Sequence, residues 1–204
     1  MNFEQFQELM LSHEYPVVLL EGMRELPDRD HAKLVALAQF LAAQWPHVRF
    51  RTGNASGSDE AFAAGVCAVD AARLEYVLPH QTMRAGSRHA DSPSVAYESL
   101  DAASQKELEV LTIRASPKYK TLIEDCRKVR KLAIKSNYLL RDTMKVTGHS
   151  GFGLRPATLG IFYVNLEKAG EGGTAHTIRV CEQMQVPVVT QNQWLAWPIE
   201  YSKE

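Results

Sequence analysis

Residues 49–65, Arg-Phe-Arg-Thr-Gly-Asn-Ala-Ser-Gly-Ser-Asp-Glu-Ala-Phe-Ala-Ala-Gly, decide how the rest of the chain is read. A short run, Val48 to Thr52, has the composition of a buried strand and passes into a loop of small polar residues. Beyond the loop, Ala61, Phe62, Gly65 and Val66 recur at helical spacing. A strand, a glycine-rich turn and a helix in succession form a unit of an open α/β sheet. Ser56 and Asp59 are spaced as a capping box at the helix start.

Working outward, the same alternation repeats. Tyr15 to Leu20 reads as a strand ending at Gly22. Pro27, Asp28 and Asp30 suit the start of a helix that shows an apolar face at Leu34, Leu37, Ala38 and Leu41. Leu74 to Leu78 is a third strand, stopped by Pro79. The order β-α-β-α-β with short connections predicts a parallel sheet with right-handed crossovers. Residues 80–101 lack periodicity and read as a long irregular loop. Ala102 to Arg114 is helical in pattern. A second helix is expected from Ser116-Pro117 to about Leu140, with Tyr119, Leu122, Cys126 and Val129 inward. One or two strands are expected within 144–164, the clearer at Gly160 to Val164. Gly172-Gly173-Thr174 opens a last main helix with Ile178, Cys181 and Met184 inward, and Val186 to Val189 closes the sheet. The expected architecture is a single α/β domain over residues 1–204, a Rossmann-like three-layer fold. It has a mostly parallel sheet and a helical or irregular insertion at about 80–118.

The chain has 204 residues, 45% of them hydrophobic, which is ordinary for a protein with a real core. Its 23 basic and 24 acidic residues nearly cancel. No basic n-region or apolar run of roughly 18 residues is present, so neither a secretory signal nor a membrane span is expected. Three isolated cysteines, Cys67, Cys126 and Cys181, suit reduced thiols in a cytoplasmic protein and make no metal motif. No metal is expected.

In open parallel sheets, ligands collect at the carboxyl ends of the strands. Three loops occupy such positions: 21–25, 53–59 and 170–174. Glycines allow backbone N–H groups to approach an anion, and a helix start offers unpaired N–H groups and a positive dipole end. The loop at Gly53, Asn54, Ser56, Gly57, Ser58 and Asp59 reads either as a phosphate loop or as a plain strand-to-helix turn. Gly172, Gly173 and Thr174 repeat the pattern, and Gly22 and Arg24 follow the first strand. The glycines fit neither a Walker A loop nor a dinucleotide fingerprint.

Charge is unevenly spread. Residues 114–145 hold ten Lys/Arg against three Asp/Glu, a net of +7, and the remainder carries −8. Arg127, Lys131 and Lys135 lie on one helical stripe, either a solvated face or a nucleic-acid patch, without obvious interleaved aromatics. His89, His149 and His176 read as loop or surface histidines.

The segment "RTGNASGSDEAFAAG" resembles the first signature of the SLOG superfamily, which includes the DNA-processing protein DprA and the LOG-type lysine-decarboxylase-like proteins. "GGTAHTIRVCEQMQVPVV" resembles its second signature, "LLRDTMKVTG" the Arg-Asn segment between them, and "LLEGMREL" the first strand and Gly-x-Arg loop. The resemblance implies a nucleotide or nucleotide-derived ligand and no other cofactor. It places Gly53, Asn54, Ser56, Gly57, Ser58 and Asp59 in one phosphate loop and Gly172, Gly173 and Thr174 in the other, with Arg24 and Arg141 as polar clamps. A small phosphorylated ligand and a homodimer are the partners it implies, with nucleic acid a less favoured alternative. Asn54 stands where the family has Gly, and Asp142 where it has Asn. Arg179 falls where LOG enzymes carry a catalytic Glu, so LOG-type hydrolysis is not the first expectation, and no catalytic residue is assigned. The expected role is a binding module or sensor. The alternatives are a hydrolase of an N-glycosidic or phosphate bond, with Asp59, Glu21 or Glu25 as base, and a DprA-like nucleic-acid binder.

Overall fold

The apolar runs become strands of one parallel sheet. The computed structural model describes residues 1–126, 130–167 and 170–201; Arg127 and Val129, expected on a basic stripe and an inner face, lie outside them. In chain order the main elements are α1 (Phe3–Ser12), β1 (Val17–Gly22), α2 (Asp28–Gln44), β2 (Arg49–Thr52), α3 (Ser58–Asp70) and β3 (Leu74–Leu78). Then come β4 (Ser94–Ala96), α4 (Ala102–Ala115), α5 (Lys120–Asp125), α6 (Arg130–Thr147), β5 (Leu159–Tyr163), α7 (Gly172–Gln183), β6 (Val188–Thr190) and α8 (Gln191–Trp194).

The sheet has the order β4-β3-β2-β1-β5-β6, and every pairing is parallel. The chain builds outward from β1 to β4, then returns to the other side of β1 as β5. That reversal makes the gap between the carboxyl ends of β1 and β5 a topological switch point. Gly22, at the end of β1, is in register with Tyr163, at the end of β5.

Alternation along β1 divides the core between two layers of helices. Val18 and Leu20 pack with Phe6 and Met10 of α1, Leu34 and Leu37 of α2, and Phe62 and Val66 of α3. Leu19 packs on the other face with Val146 of α6 and Val180 and Cys181 of α7. Glu21, two residues on from Leu19, shares that second face. Each fully buried Leu or Phe contributes roughly 1.5–3 kcal/mol, so both faces are strongly specified. The three-layer Rossmann-like expectation matches this architecture.

Several local expectations are corrected. The helix expected to end near Leu140 continues to Thr147, so 144–147 is not strand. Met144 and Val146 alternate as in a strand, but they bury against different clusters around one helix. The Gly148 N–H closes that helix on Met144 O at 3.0 Å. Residues 80–101 are not wholly irregular: Ser94–Ala96 adds an edge strand beside Tyr76–Leu78. Met184, expected inward, follows the last turn of α7 and is 41% exposed. His176 is fully buried, not on the surface. No helix among the described residues is long and apolar enough to cross a membrane.

Candidate nucleotide site at the carboxyl ends of β1 and β5

The Gly53–Asp59 loop folds around its own carboxylate. Asp59 Oδ2 accepts the N–H groups of Gly53 at 3.1 Å and Ala55 at 3.2 Å, and Oδ1 accepts Gly22 N–H at 3.3 Å. Asp59 therefore joins the end of β1 to the end of β2. It does not close a capping box with Ser56: the helix begins two residues later, with Gly57 as N-cap and no side-chain cap bond. Gly57 has φ +76°, and a Cβ there would meet Arg24 O at 2.2 Å. Only glycine satisfies both conditions without strain. Ser58 sends its N–H (3.1 Å) and its hydroxyl (2.9 Å) to Met23 O, so it ties the turn to the 22–24 segment. Ser56 is exposed.

Asn54 is buried and left-handed, with φ 56°, a conformation that Asn tolerates better than most residues. Its amide donates to Met83 O at 3.4 Å and Arg84 O at 3.3 Å, and its Oδ1 accepts from the Ser87 hydroxyl at 3.3 Å. Arg84 reciprocates with a bond to Asn54 O at 3.2 Å and an ion pair to Glu60 at 3.0 Å. Asn54 thus fastens the 81–88 segment to the loop.

The two arginines meet at one ring. The guanidinium carbons of Arg24 and Arg141 each lie 5.6 Å from the centroid of Tyr138, within cation–π range. Tyr138 was not anticipated from the sequence. It follows exposed Lys131 and Lys135 on the same stripe of α6, which continues to Asp142 and Lys145 as the helix becomes buried. Arg141 is buried and lies directly under the first loop: a Cβ on Gly53 would sit 1.5 Å from its Nη1.

The second loop opens α7. Gly172 and Gly173 are exposed at the start of α7, and the N-cap Glu171 supplies no side-chain bond to the first turn. The Thr174 hydroxyl donates to Gly22 O at 3.0 Å, which fixes α7 to the end of β1.

Beneath these loops lies a buried charge network. Lys145 Nζ is 2.5 Å from Glu21 Oε1 and 2.9 Å from Asp142 Oδ1. Thr177 on α7 donates to Glu21 Oε2 at 3.2 Å, and Arg141 Nε is 3.3 Å from Asp142 Oδ1. Two carboxylates share one ammonium. Burial pushes Glu21 up to about 7, reinforced by Asp142 and Asp59 and opposed by Lys145. Burial works against ionised Asp142 too, but Lys145 and Arg141 outweigh it and hold the carboxyl below its usual range. Asp142 therefore carries the charge while Glu21 keeps a proton through mildly acidic pH.

Next to this network, His176 joins three helices. Its Nδ1 is 2.9 Å from Ser116 Oγ, and its Nε2 is 3.3 Å from Thr143 Oγ1 and 3.2 Å from Leu139 O. Burial lowers its pKa, which favours neutral imidazole. Arg179, in the place of the LOG glutamate, donates to Ser116 Oγ at 2.9 Å and to Gly170 O at 3.2 Å.

The structure thus gathers Gly22, Arg24, Gly53, Asp59, Arg141, Gly173 and Thr174 around the switch point. Asn54 and Ser58 serve the loop's own geometry. Two surface clefts, one around Tyr97 and Asn137 and one around Tyr15 and Arg155, share none of these residues. Among the described residues no group of three or more His, Cys, Asp or Glu is placed to hold a metal ion.

A solved structure has the same layered arrangement. The fold is shared with DNA processing protein A from Helicobacter pylori. That protein is described for a single-stranded DNA binding mode. The likeness has a TM-score of 0.52 at 12% identity, covering 89% of this chain and 66% of that one. At that identity it is a likeness of fold. The present chain thus spans about two thirds of the other protein's length. No family model and no curated protein matches the sequence.

Proposed function

We propose that this chain is a nucleotide-binding module of the kind the SLOG resemblance implies, with its ligand at the carboxyl ends of β1 and β5. The observation that carries the reading is the convergence of Arg24 and Arg141 on the Tyr138 ring, at the end of the sheet where Thr174 ties the first turn of α7 to Gly22. Two guanidiniums suit a phosphate, an aromatic face suits a base, and the unpaired N–H groups of a helix start add to the attraction for an anion. The first loop contributes as scaffold, since Asp59 and Arg141 hold it from either side.

A panel of nucleotides and phosphorylated sugars in a thermal-shift assay tests this. Stabilisation of the wild type that is lost in Arg24→Glu and in Gly173→Asp supports the reading. No response from any compound, or equal responses from the variants, rejects it.

A second reading, single-stranded nucleic acid as ligand, is supported by the exposed Lys131 and Lys135 that lead along α6 to Tyr138, and by the fold neighbour. Gel-shift titration at several salt concentrations separates the two, because phosphate contacts along a strand weaken steeply as salt rises.

A further inference from the structure

The cleft around Tyr15 and Arg155 lies at the end of the sheet opposite the switch point. Every strand is parallel, so the residues that open the strands meet there. Val17 begins β1 beside Arg49 at the start of β2, and Glu75 lies near the start of β3. The cleft holds about 390 Å³, within the range of small-molecule sites. One wall is the turn from α6 to β5. There His149 N–H donates to Leu154 O at 2.9 Å and Leu154 N–H donates back to His149 O at 3.1 Å. Gly148, with φ +67°, passes so close that a Cβ would sit 2.5 Å from the Arg155 carbonyl carbon. A turn closed in this way sets Phe152, Leu154 and Arg155 into the cleft in one arrangement.

The lining carries surplus positive charge. The Arg155 guanidinium carbon rests 3.8 Å from the centroid of the Tyr15 ring, and its N–H groups have no hydrogen-bond or ion-pair partner among the described residues. Stacking on a ring leaves the edge of a guanidinium free to donate. Exposed Arg49 reaches only Glu75 Oε1 at 3.8 Å and Ala72 O at 3.5 Å, both long. Glu75, the carboxylate of the lining, is already held by Arg51, whose Nε and Nη2 lie 2.9 and 2.8 Å from Oε2. Glu14, beside Tyr15, stands outside the lining. Arg49, Arg51 and Arg155 thus face at most two carboxylates, and one positive charge is left over. Val95, Phe152 and Leu154 line the same cleft and belong to one apolar cluster.

We infer that this cleft is a second ligand site, for a small monocarboxylate with a flat apolar body. The carboxylate pairs with the forks of Arg155 and Arg49, which suit two parallel N–H···O bonds, and the body lies on Phe152, Leu154 and Val95. A phosphate dianion would bring more charge than the lining answers, beside the Glu75 carboxylate. The inference shares no residue with the switch-point site and does not depend on the nucleotide reading.

The test is amide-resolved NMR titration of the wild type, Arg49→Gln and Arg155→Gln with phenylacetate and indole-3-acetate. Phenylacetamide serves as the uncharged counterpart and phenyl phosphate as the dianion. The wild type should show saturable shifts with the acids, centred on the amides of Tyr15, Arg49, Val95 and residues 152–155. The amide should bind about tenfold or more weakly than phenylacetate, as should phenylacetate to either variant, because each change removes a charge-assisted hydrogen bond. No saturable shift with either acid overturns the inference. So do equal binding of acid and amide, variants that bind as the wild type does, or shifts centred on residues 22–24 and 172–174. Tighter binding of phenyl phosphate than of phenylacetate overturns the match to a single charge. Both arginines are exposed, so neither replacement opens the core. If a variant does not fold, the comparison of acid with amide on the wild type still decides.

Discussion

Replacing Glu21 by Gln should change how stability depends on pH, not simply lower it. In the unfolded chain Glu21 ionises near its ordinary 4.5; in the folded protein burial delays this to about 7. Below about 4.5 the group is protonated in both states and its contribution is fully present. As pH rises, the unfolded chain loses its proton first, and folded stability falls until the folded carboxyl also ionises. At about 1.36 kcal/mol per pH unit, moving the ionisation from 4.5 to about 7 corresponds to a loss on the order of 3 kcal/mol over that range. The glutamine side chain cannot ionise and is isosteric with the acid, so Glu21→Gln lacks this loss. Lys145 keeps Asp142 as its partner at 2.9 Å. Urea unfolding of both proteins at several pH values from about 5 to 8, followed by the fluorescence of buried Trp45, Trp194 and Trp197, measures the difference. The variant should gain on the wild type by about 3 kcal/mol across that range. A difference that stays constant with pH would show that Glu21 ionises normally and that the buried network is misassigned.

Two further outcomes follow from the same geometry. Asn54→Gly keeps the left-handed backbone but removes the amide bonds to Met83 and Arg84, so stability should fall by about 1 kcal/mol while amide exchange over residues 81–88 speeds up; unchanged exchange there would contradict the fastening role. Arg51, fully buried, pairs with Glu75 at 2.8 Å and caps Lys145 O at 2.7 Å, so Arg51→Met should cost about 3–5 kcal/mol in denaturant unfolding, and a paired Arg51→Met, Glu75→Leu protein should recover much of it.

Five strands and their parallel pairing were legible because their signals are local, while the edge strand Ser94–Ala96 was not. Val17 to Leu20, Val48 to Thr52 and Leu74 to Leu78 are short apolar runs bounded by turn residues, and periodicity finds such runs. The positions of the glycine loops followed from them. What escaped depended on contacts between distant segments. Asp59 looked like a capping residue because its spacing from Ser56 is right; its bonds to Gly22, Gly53 and Ala55 depend on two strands being neighbours. The Glu21–Lys145–Asp142 network joins β1 to α6, and no spacing rule connects them. Tyr138 could have been found, since it falls seven residues after Lys131 on the same helical face. The first helix could also have been found: Asn2 and Gln5 form a capping box, and Phe3, Phe6 and Met10 follow at helical spacing. Asn54 was legible as an odd residue in a glycine position, but its partners Met83, Arg84 and Ser87 lie in a segment without periodicity.

The most direct test of the site is calorimetric titration of ribonucleoside 5′-monophosphates into the wild type and into Tyr138→Ala, which removes the ring between Arg24 and Arg141 on a partly exposed face of α6. Saturable binding by the wild type, weakened about tenfold or more in the variant while the melting temperature is little changed, is the expected result, given that base–aromatic stacking is worth about 1–3 kcal/mol. Binding that Tyr138→Ala leaves intact, or no binding by the wild type, would place the ligand elsewhere or remove it altogether.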